Sequence, residues 1–416
     1  MNDPSLAAVF QHEAGRCTAT LIRILGDIDL AEDAVAEAFV IAAEKWPVTG
    51  IPPNPGGWIT TTARNRAIDW LRRESTRTDR HIAAHRLNET MDYDESPEMQ
   101  ALDAFVDVVP DDQLRLMFLC CHPALSADAR VALTLRLLGG LSTPEIARSF
   151  LIPEATMAQR IVRAKHKLRD NHAPYRVPSA AELPDRLRAV LAVIYLVFTA
   201  GHTAPESDEL VRADLSEEAI RLTRVLVGLM PDEPEAAGLL ALLLLTDARR
   251  RARTTADGEL VPLRDQDRGL WDRDLIAEGH ALVRACLRRN QPGQYQIQAA
   301  IAAVHADAAN AEATDWAQIV ALYDQLYMLR PNGVVAMNRA IAVGELDGPV
   351  AGLAALGEVE AGQLDEYQPF HAASADLFAR AGDVDSARFE YDRAIELTEN
   401  EVERRFLIRK RSRLTG

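Results

Sequence analysis

The chain has 416 residues, 48% hydrophobic and 26% charged, which at ~100–200 residues per domain argues for two to four domains and excludes a single small module or a wholly disordered chain. The formal charge is −16; such a total fits a soluble protein, yet it does not exclude nucleic-acid binding, which needs only a local basic surface. Four cysteines, Cys17, Cys120, Cys121 and Cys286, are too few and too scattered for a disulfide framework and form no CxxC pair, so buried structural thiols in a reducing compartment are expected.

In chain order, nearly every segment predicts helix. Leu6, Val9, Phe10, Cys17, Leu21, Ile24 and Leu25 fall on one stripe behind Ser5, a candidate N-cap, and Ile28, Ala31, Val35, Phe39 and Trp46 form a second. On that second helix Asp33 and Glu37 stand one turn apart, by themselves only an acidic face. The run from Pro47 to Gly57, with four prolines and three glycines, predicts a loop before helix resumes at Trp58 and continues to about Thr76. No charged-then-apolar leader opens the chain, and the longest apolar stretch, Ala189–Gly201, is shorter than the ~20 residues that span a bilayer. The expectation is a cytoplasmic protein with no membrane contact.

Charge counted in windows separates pieces that the total hides. From Arg64 to Arg86 there are seven arginines and three acids, and from Arg148 to Arg169 six Lys or Arg against Glu154 alone. Between these windows, Asn88–Asp112 holds nine acids and no Lys or Arg, which reads as an acidic linker over 78–107. On the helix after the proline-glycine loop, Trp58, Arg64, Asn65, Arg72 and Arg73 combine phosphate-binding cations with aromatic and amide groups of the kind that grip an unstacked base. Taken alone, the same residues fit a helix with tryptophans in its core and solvated arginines outside.

The strongest local signal runs from Gly140 to Lys167. Ser142 and Glu145 form a capping box with Pro144 in the first turn, and Pro153 opens a second helix after a short turn, as in a helix-turn-helix. In that second helix Met157, Ile161, Ala164 and Leu168 line one face, while Thr156, Gln159, Arg160, Arg163 and Lys167 line the other, where they can reach base edges and phosphates in a major groove.

After about Tyr175 the chain turns Ala- and Leu-rich, with 27 basic and 38 acidic residues. Tyr323-x-x-Leu326-x4-Pro331 is echoed by Tyr391-x-x-Ala394-x4-Glu399 at an offset of 68, two tetratricopeptide periods of 34. Stacked helical pairs are expected, with a surface suited to a protein or peptide partner.

These residues together resemble a family. Asp29–Phe39, Trp58–Arg73 and Gly140–Arg169 are similar, in order and spacing, to the two sigma domains of extracytoplasmic-function sigma factors. Cys121-His-Pro-Ala-Leu-Ser126, Tyr295–His305 and Asn338–Ala342 resemble the subgroup with a C-terminal tetratricopeptide extension. The resemblance implies an all-α chain with sigma domain 2 over 1–77, an acidic linker over 78–107 and sigma domain 4 over 108–175. A helical middle domain over 185–290 and tetratricopeptide-like repeats over 291–416 would follow. It implies core RNA polymerase and promoter DNA as partners, with Asp33 and Glu37 on core polymerase. Trp58, Arg64, Asn65, Arg72 and Arg73 would act on the minus-10 element, and Thr156, Gln159, Arg160, Arg163 and Lys167 on the minus-35 element. The acidic linker would thread the nucleic-acid channel of polymerase. One departure is Phe198-Thr-Ala-Gly-His202, where the family pattern has Asn-Glu-Gly-Tyr after the Phe.

The competing reading is a helix-turn-helix regulator that binds duplex DNA as a dimer and senses a ligand through its helical half; it has no need of Asp33, Glu37 or Trp58. No glycine-rich phosphate loop, HExxH motif or Ser/His/Asp arrangement is evident, so no enzymatic activity, cofactor or metal is expected.

Overall fold

The computed structural model describes residues 6–75, 110–150, 152–202, 213–359, 364–398 and 400–414. Ser5, the acidic linker at 78–107 and Glu399 lie outside the described residues. Among those described there are eighteen α-helices and no strand beyond one isolated bridge between Thr254 and Leu260, as the period-3.6 patterning requires. Contacts divide the chain into two compact units, Met1–Ile194 and Tyr195–Gly416.

In the first unit, α1 (Leu6–Leu25), α2 (Ile28–Thr49) and α3 (Pro55–Ser75) pack around Cys17, Leu21, Val35, Phe39, Trp46 and Ile59. Asp27 caps α2 by accepting from the Leu30 N–H at 2.9 Å. The proline-glycine loop is shorter than the sequence suggests. The α2 helix runs through Pro47 to Thr49 and stops where Gly50 takes φ 79°, and α3 begins at Pro55 instead of Trp58. A proline in a first turn has no intrahelical bond to lose, and Asn54 Oδ1 accepts from the Gly57 N–H at 3.0 Å to complete the cap.

The same unit continues with α4 (Pro110–Cys120), α5 (Ala127–Leu137), α6 (Thr143–Ser149) and α7 (Glu154–Asp170). The capping box is formed: Glu145 Oε2 accepts from the Ser142 N–H at 2.7 Å, and the Glu145 N–H reaches Ser142 Oγ at 3.4 Å. Met157, Ile161, Ala164 and Leu168 are buried along α7. All four cysteines are free and buried, and burial pushes the Cys17 and Cys121 thiols up to about 12, so they pack as apolar groups.

A long helix, α8 (Leu183–His202), crosses the boundary between the units. Ten helices follow: α9 (Ala213–Leu229), α10 (Pro234–Asp247), α11 (Arg273–Arg289), α12 (Gln294–Asp307), α13 (Trp316–Leu329), α14 (Gly333–Leu346), α15 (Pro349–Leu356), α16 (Gln368–Ala381), α17 (Val384–Leu397) and α18 (Glu401–Ser412). The apolar run Leu239–Leu245 makes α10 a helix buried on all sides. Helices α14 and α16 start 35 residues apart, as do α15 and α17, so two helical hairpins follow one another at that spacing. The first of these hairpins closes tightly, because a Cβ on Gly352 would lie 2.8 Å from the Gly344 Cα. Ala387, Tyr391 and Ala394 are buried along α17.

Candidate polymerase and promoter interfaces

At ~100° per residue, α7 presents three faces. The apolar face packs inward. A second face carries Thr156, Gln159, Arg163 and Lys167, all exposed, and Arg160, half-buried with a 3.4 Å ion pair to the exposed Asp128. These five side chains line one wall of a groove of 290 Å³, which Leu125, Ser126 and Ala129 close on the other side. Among the described residues no carboxylate lies within ion-pair distance of Arg163 or Lys167. The arrangement offers two free cations, an amide and a hydroxyl on one helix, the donor and acceptor set that major-groove readout uses.

The third face of α7 meets α2. Lys165 Nζ lies 2.8 Å from Asp29 and 2.7 Å from Glu32, Arg169 lies 2.6 Å from Asp29, and Arg136 of α5 pairs with Glu32. Lys165 and Glu32 are mostly buried, with side chains 12% and 14% exposed. Burial alone would raise the Asp29 carboxyl, but Lys165 and Arg169 outweigh it and hold the group below its ordinary range. Burial opposes the Lys165 charge too, and Glu32 and Asp29 outweigh it and raise the ammonium. Both shifts mark charges held by their partners.

Other contacts close the same junction. Arg23 pairs with the buried Asp112 at 2.9 Å, and the Tyr175 hydroxyl lies 2.7 Å from the Ala19 carbonyl oxygen and 3.0 Å from that of Asp112. The backbone of α1 also meets that of Leu138, the residue just past α5, since a Cβ on Gly15 would sit 2.6 Å from the Leu138 carbonyl oxygen.

The predicted core-binding pair is one step away from this junction. Asp33 is exposed, its carboxyl raised by partial burial and by neighbouring Glu32. Glu37 is half-buried, 3.5 Å from Arg66 of α3. On α3, Trp58 sits in the first turn, half-buried and edge-on to Trp46 at 5.3 Å and 62°. Arg64 is half-buried, its Nε without a partner among the described residues, and Asn65 is exposed. Arg72 and Arg73 lie in the last turns of α3, their side chains outside the described residues. The exposed indole of this helix is Trp70, at 47%. The structure therefore gathers Thr156, Gln159, Arg160, Arg163 and Lys167 into one groove and leaves Asp33 and Asn65 open to solvent.

Comparison with known proteins agrees with this layout. Residues 9–77 match the family described as sigma-70 region 2, residues 115–168 match sigma-70 region 4, and residues 186–287 match a family of unknown function, DUF6596. An uncharacterized protein of Rhizobium meliloti is 44% identical over 390 residues, 93% of this chain and 90% of that protein. A Mycobacterium tuberculosis protein named probable ECF RNA polymerase sigma factor SigI is 30% identical over 172 residues, 41% of this chain and 56% of that protein. No solved structure matches the chain. The two matched modules and the open helix-turn-helix groove define a sigma-70 protein, an RNA polymerase sigma factor that binds core polymerase and promoter DNA. The stretch that holds the two sigma-70 modules is the part similar to the protein named as an ECF sigma factor, and the chain continues beyond it into a helical extension. Among the described residues no helix is long and apolar enough to cross a membrane.

Sequence reasoning missed Asp29 and Glu32 as partners of α7. Their partners stand more than a hundred positions away, and in the sequence each looks like an ordinary surface charge of its own helix.

Proposed function

We propose that this sigma factor reads the minus-35 element with Thr156, Gln159, Arg160, Arg163 and Lys167, acts on the minus-10 element with Trp58, Arg64, Asn65, Arg72 and Arg73, and docks on core polymerase through Asp33 and Glu37. The observation that carries this reading is the contrast on α7: the face with Gln159 and Arg163 is bare, while the flank with Lys165 and Arg169 is tied to α2. It follows that the two modules part before both elements are read. The minus-10 and minus-35 elements lie about 25 base pairs apart, roughly 85 Å of duplex at 3.4 Å per step. In the closed unit the modules stand at ion-pair distance, with Lys165 2.7 Å from Glu32. The 34 residues between Ser75 and Pro110 have a contour of roughly 115 Å, enough to span the separation, and their acidic composition suits passage through a cationic channel.

The extension from about Asp185 acts in cis on transcription, its tetratricopeptide-like hairpins offering a surface for a protein or peptide partner. Its excess of acids argues against nonspecific DNA binding. The protein works in the cytoplasm, without enzymatic activity of its own. Run-off transcription with purified core polymerase tests the assignment. A variant with Gln159, Arg160 and Arg163 all replaced by alanine is expected to lose promoter preference and part of its salt dependence, and a variant that keeps both would overturn the recognition-helix reading.

A further inference from the structure

The C-terminal unit carries a cationic cluster that promoter recognition does not use. Four arginines, Arg249, Arg250, Arg251 and Arg253, fall within five positions after α10. Arg250 is matched by Glu217 at 2.9 Å and Asp247 at 3.2 Å. Arg249 has no such match: among the described residues no carboxylate lies within ion-pair distance of it, although protein surrounds it closely enough for burial, and then neighbouring Arg268, to push it down to about 10. Its guanidinium stands 6.0 Å from the centre of the Trp271 ring, and that of Arg268 stands 4.7 Å from the same ring. Arg268 donates to the carbonyls of His305 and Ala308 at 2.5 and 2.6 Å and also has no carboxylate at ion-pair distance among the described residues. Arg253 donates to the His202 carbonyl. Burial and the adjacent arginines drive the His202 imidazole down to about 2 and that of His305 down to about 4, so neither adds charge at neutral pH. The Trp271 Nε1 and His202 Nδ1 atoms are buried with no partner among the described residues.

A guanidinium does not lose its proton in a protein, so the cluster cannot relieve itself by neutralising. Contact with an indole face compensates one cation. Arg268 is more open, donates to two carbonyl oxygens and has the Glu312 charge acting on it, so the groups that lack what desolvated charges and buried donors otherwise find are Arg249 and the buried, unfilled Trp271 N–H. A small oxyanion supplies what is missing, because arginine forks match carboxylate and phosphate oxygens and the indole N–H adds a third donor. We propose that Arg249, Arg268 and Trp271 form a binding site for a small oxyanion, a phosphate or a carboxylate, within the C-terminal unit. The site stands on this cluster alone and does not depend on the promoter-reading assignments.

The test uses the full chain and follows thermal unfolding in inorganic phosphate, in succinate and in potassium chloride of equal ionic strength. Phosphate or succinate is expected to give a saturable rise in Tm, roughly 5–10 °C at a hundredfold excess over half-saturation, and the ion with the lower half-saturation identifies the class. The Arg249→Gln variant loses that rise and, without ligand, melts no lower than the parent, because an uncompensated charge is gone. Trp271→Phe keeps the ring and removes only the N–H. It is expected to weaken binding by roughly threefold to tenfold, which keeps the test informative if Arg249→Gln does not fold. No rise beyond that in chloride, or an equal rise in Arg249→Gln, would overturn the proposal.

Discussion

Two cationic clusters of this molecule have opposite fates. Arg136, Lys165 and Arg169 in the N-terminal unit are each met by a carboxylate of α2, and the pairing fastens one module to another. Arg249 and Arg268 in the C-terminal unit lie against a tryptophan with no carboxylate at ion-pair distance among the described residues. Sequence composition does not distinguish the two, since each is a short basic stretch in an acidic chain. Partnership does: matched charges hold structure, and unmatched ones under desolvation mark a place for a missing anion. Arg163 and Lys167 on the outer face of α7 also lack a carboxylate among the described residues, but they are exposed, whereas Arg160 beside them is paired with Asp128.

The largest effect expected from breaking this comparison is on α7 itself. Replacing a base-reading residue among Gln159, Arg160 and Arg163 should cost about 1–3 kcal/mol at one promoter position, whereas losing a phosphate contact weakens all sequences alike and lowers the salt slope by about one. Competition binding by core-bound protein to promoter variants separates the two outcomes. Next comes the matched cluster. Lys165→Met removes the hub of two carboxylates and should loosen the closed unit by roughly 1–3 kcal/mol. Gly15→Val should do so by a different route, by driving a side chain into the Leu138 carbonyl. Protection of α2 amides from hydrogen exchange reads both, and unchanged protection in the two variants would break the comparison.

Asp29→Asn is expected to matter least, by less than ~1 kcal/mol, because that carboxylate is 48% exposed and screened by solvent. The pH dependence follows from signs. Asp29 is lowered, so its contribution is full above the ordinary carboxylate range and is lost as pH falls through its depressed value. Lys165 is raised, so its contribution is full below the ordinary lysine range and is lost as pH rises through its elevated value. The closure should therefore hold unchanged between about pH 5 and 9 and loosen on the acid side, as fluorescence energy transfer between α2 and α7 would report.

What the sequence revealed and what it hid divide along the range of the interactions. The helix-turn-helix was legible because its devices are local: Ser142 with Glu145, Pro144, Pro153 and the spacing of Met157, Ile161, Ala164 and Leu168 all act within a turn or two. The α2–α7 pairing was not, because Glu32 and Lys165 are 133 positions apart and each looks like an ordinary surface charge in its own helix. Trp58 was expected at the end of a long loop. That expectation treated four prolines as breakers, whereas Pro47 is tolerated near the end of α2 and Pro55 starts α3. The Arg249–Trp271 cluster was hidden by the net acidity of the C-terminal half, although four arginines in five positions were a signal in plain sight.

The central claim is that the closed N-terminal unit opens when this sigma factor joins core polymerase, and a distance measures it directly. Val40 on α2 and Val162 on α7 are exposed, at 58% and 51%, and all four native cysteines are buried, so cysteines introduced at these two positions can carry spin labels selectively. Electron–electron resonance is expected to show one narrow, short distance in the free protein and a population tens of ångströms longer with core polymerase and promoter DNA. A short distance that persists in a transcriptionally active complex would contradict the account.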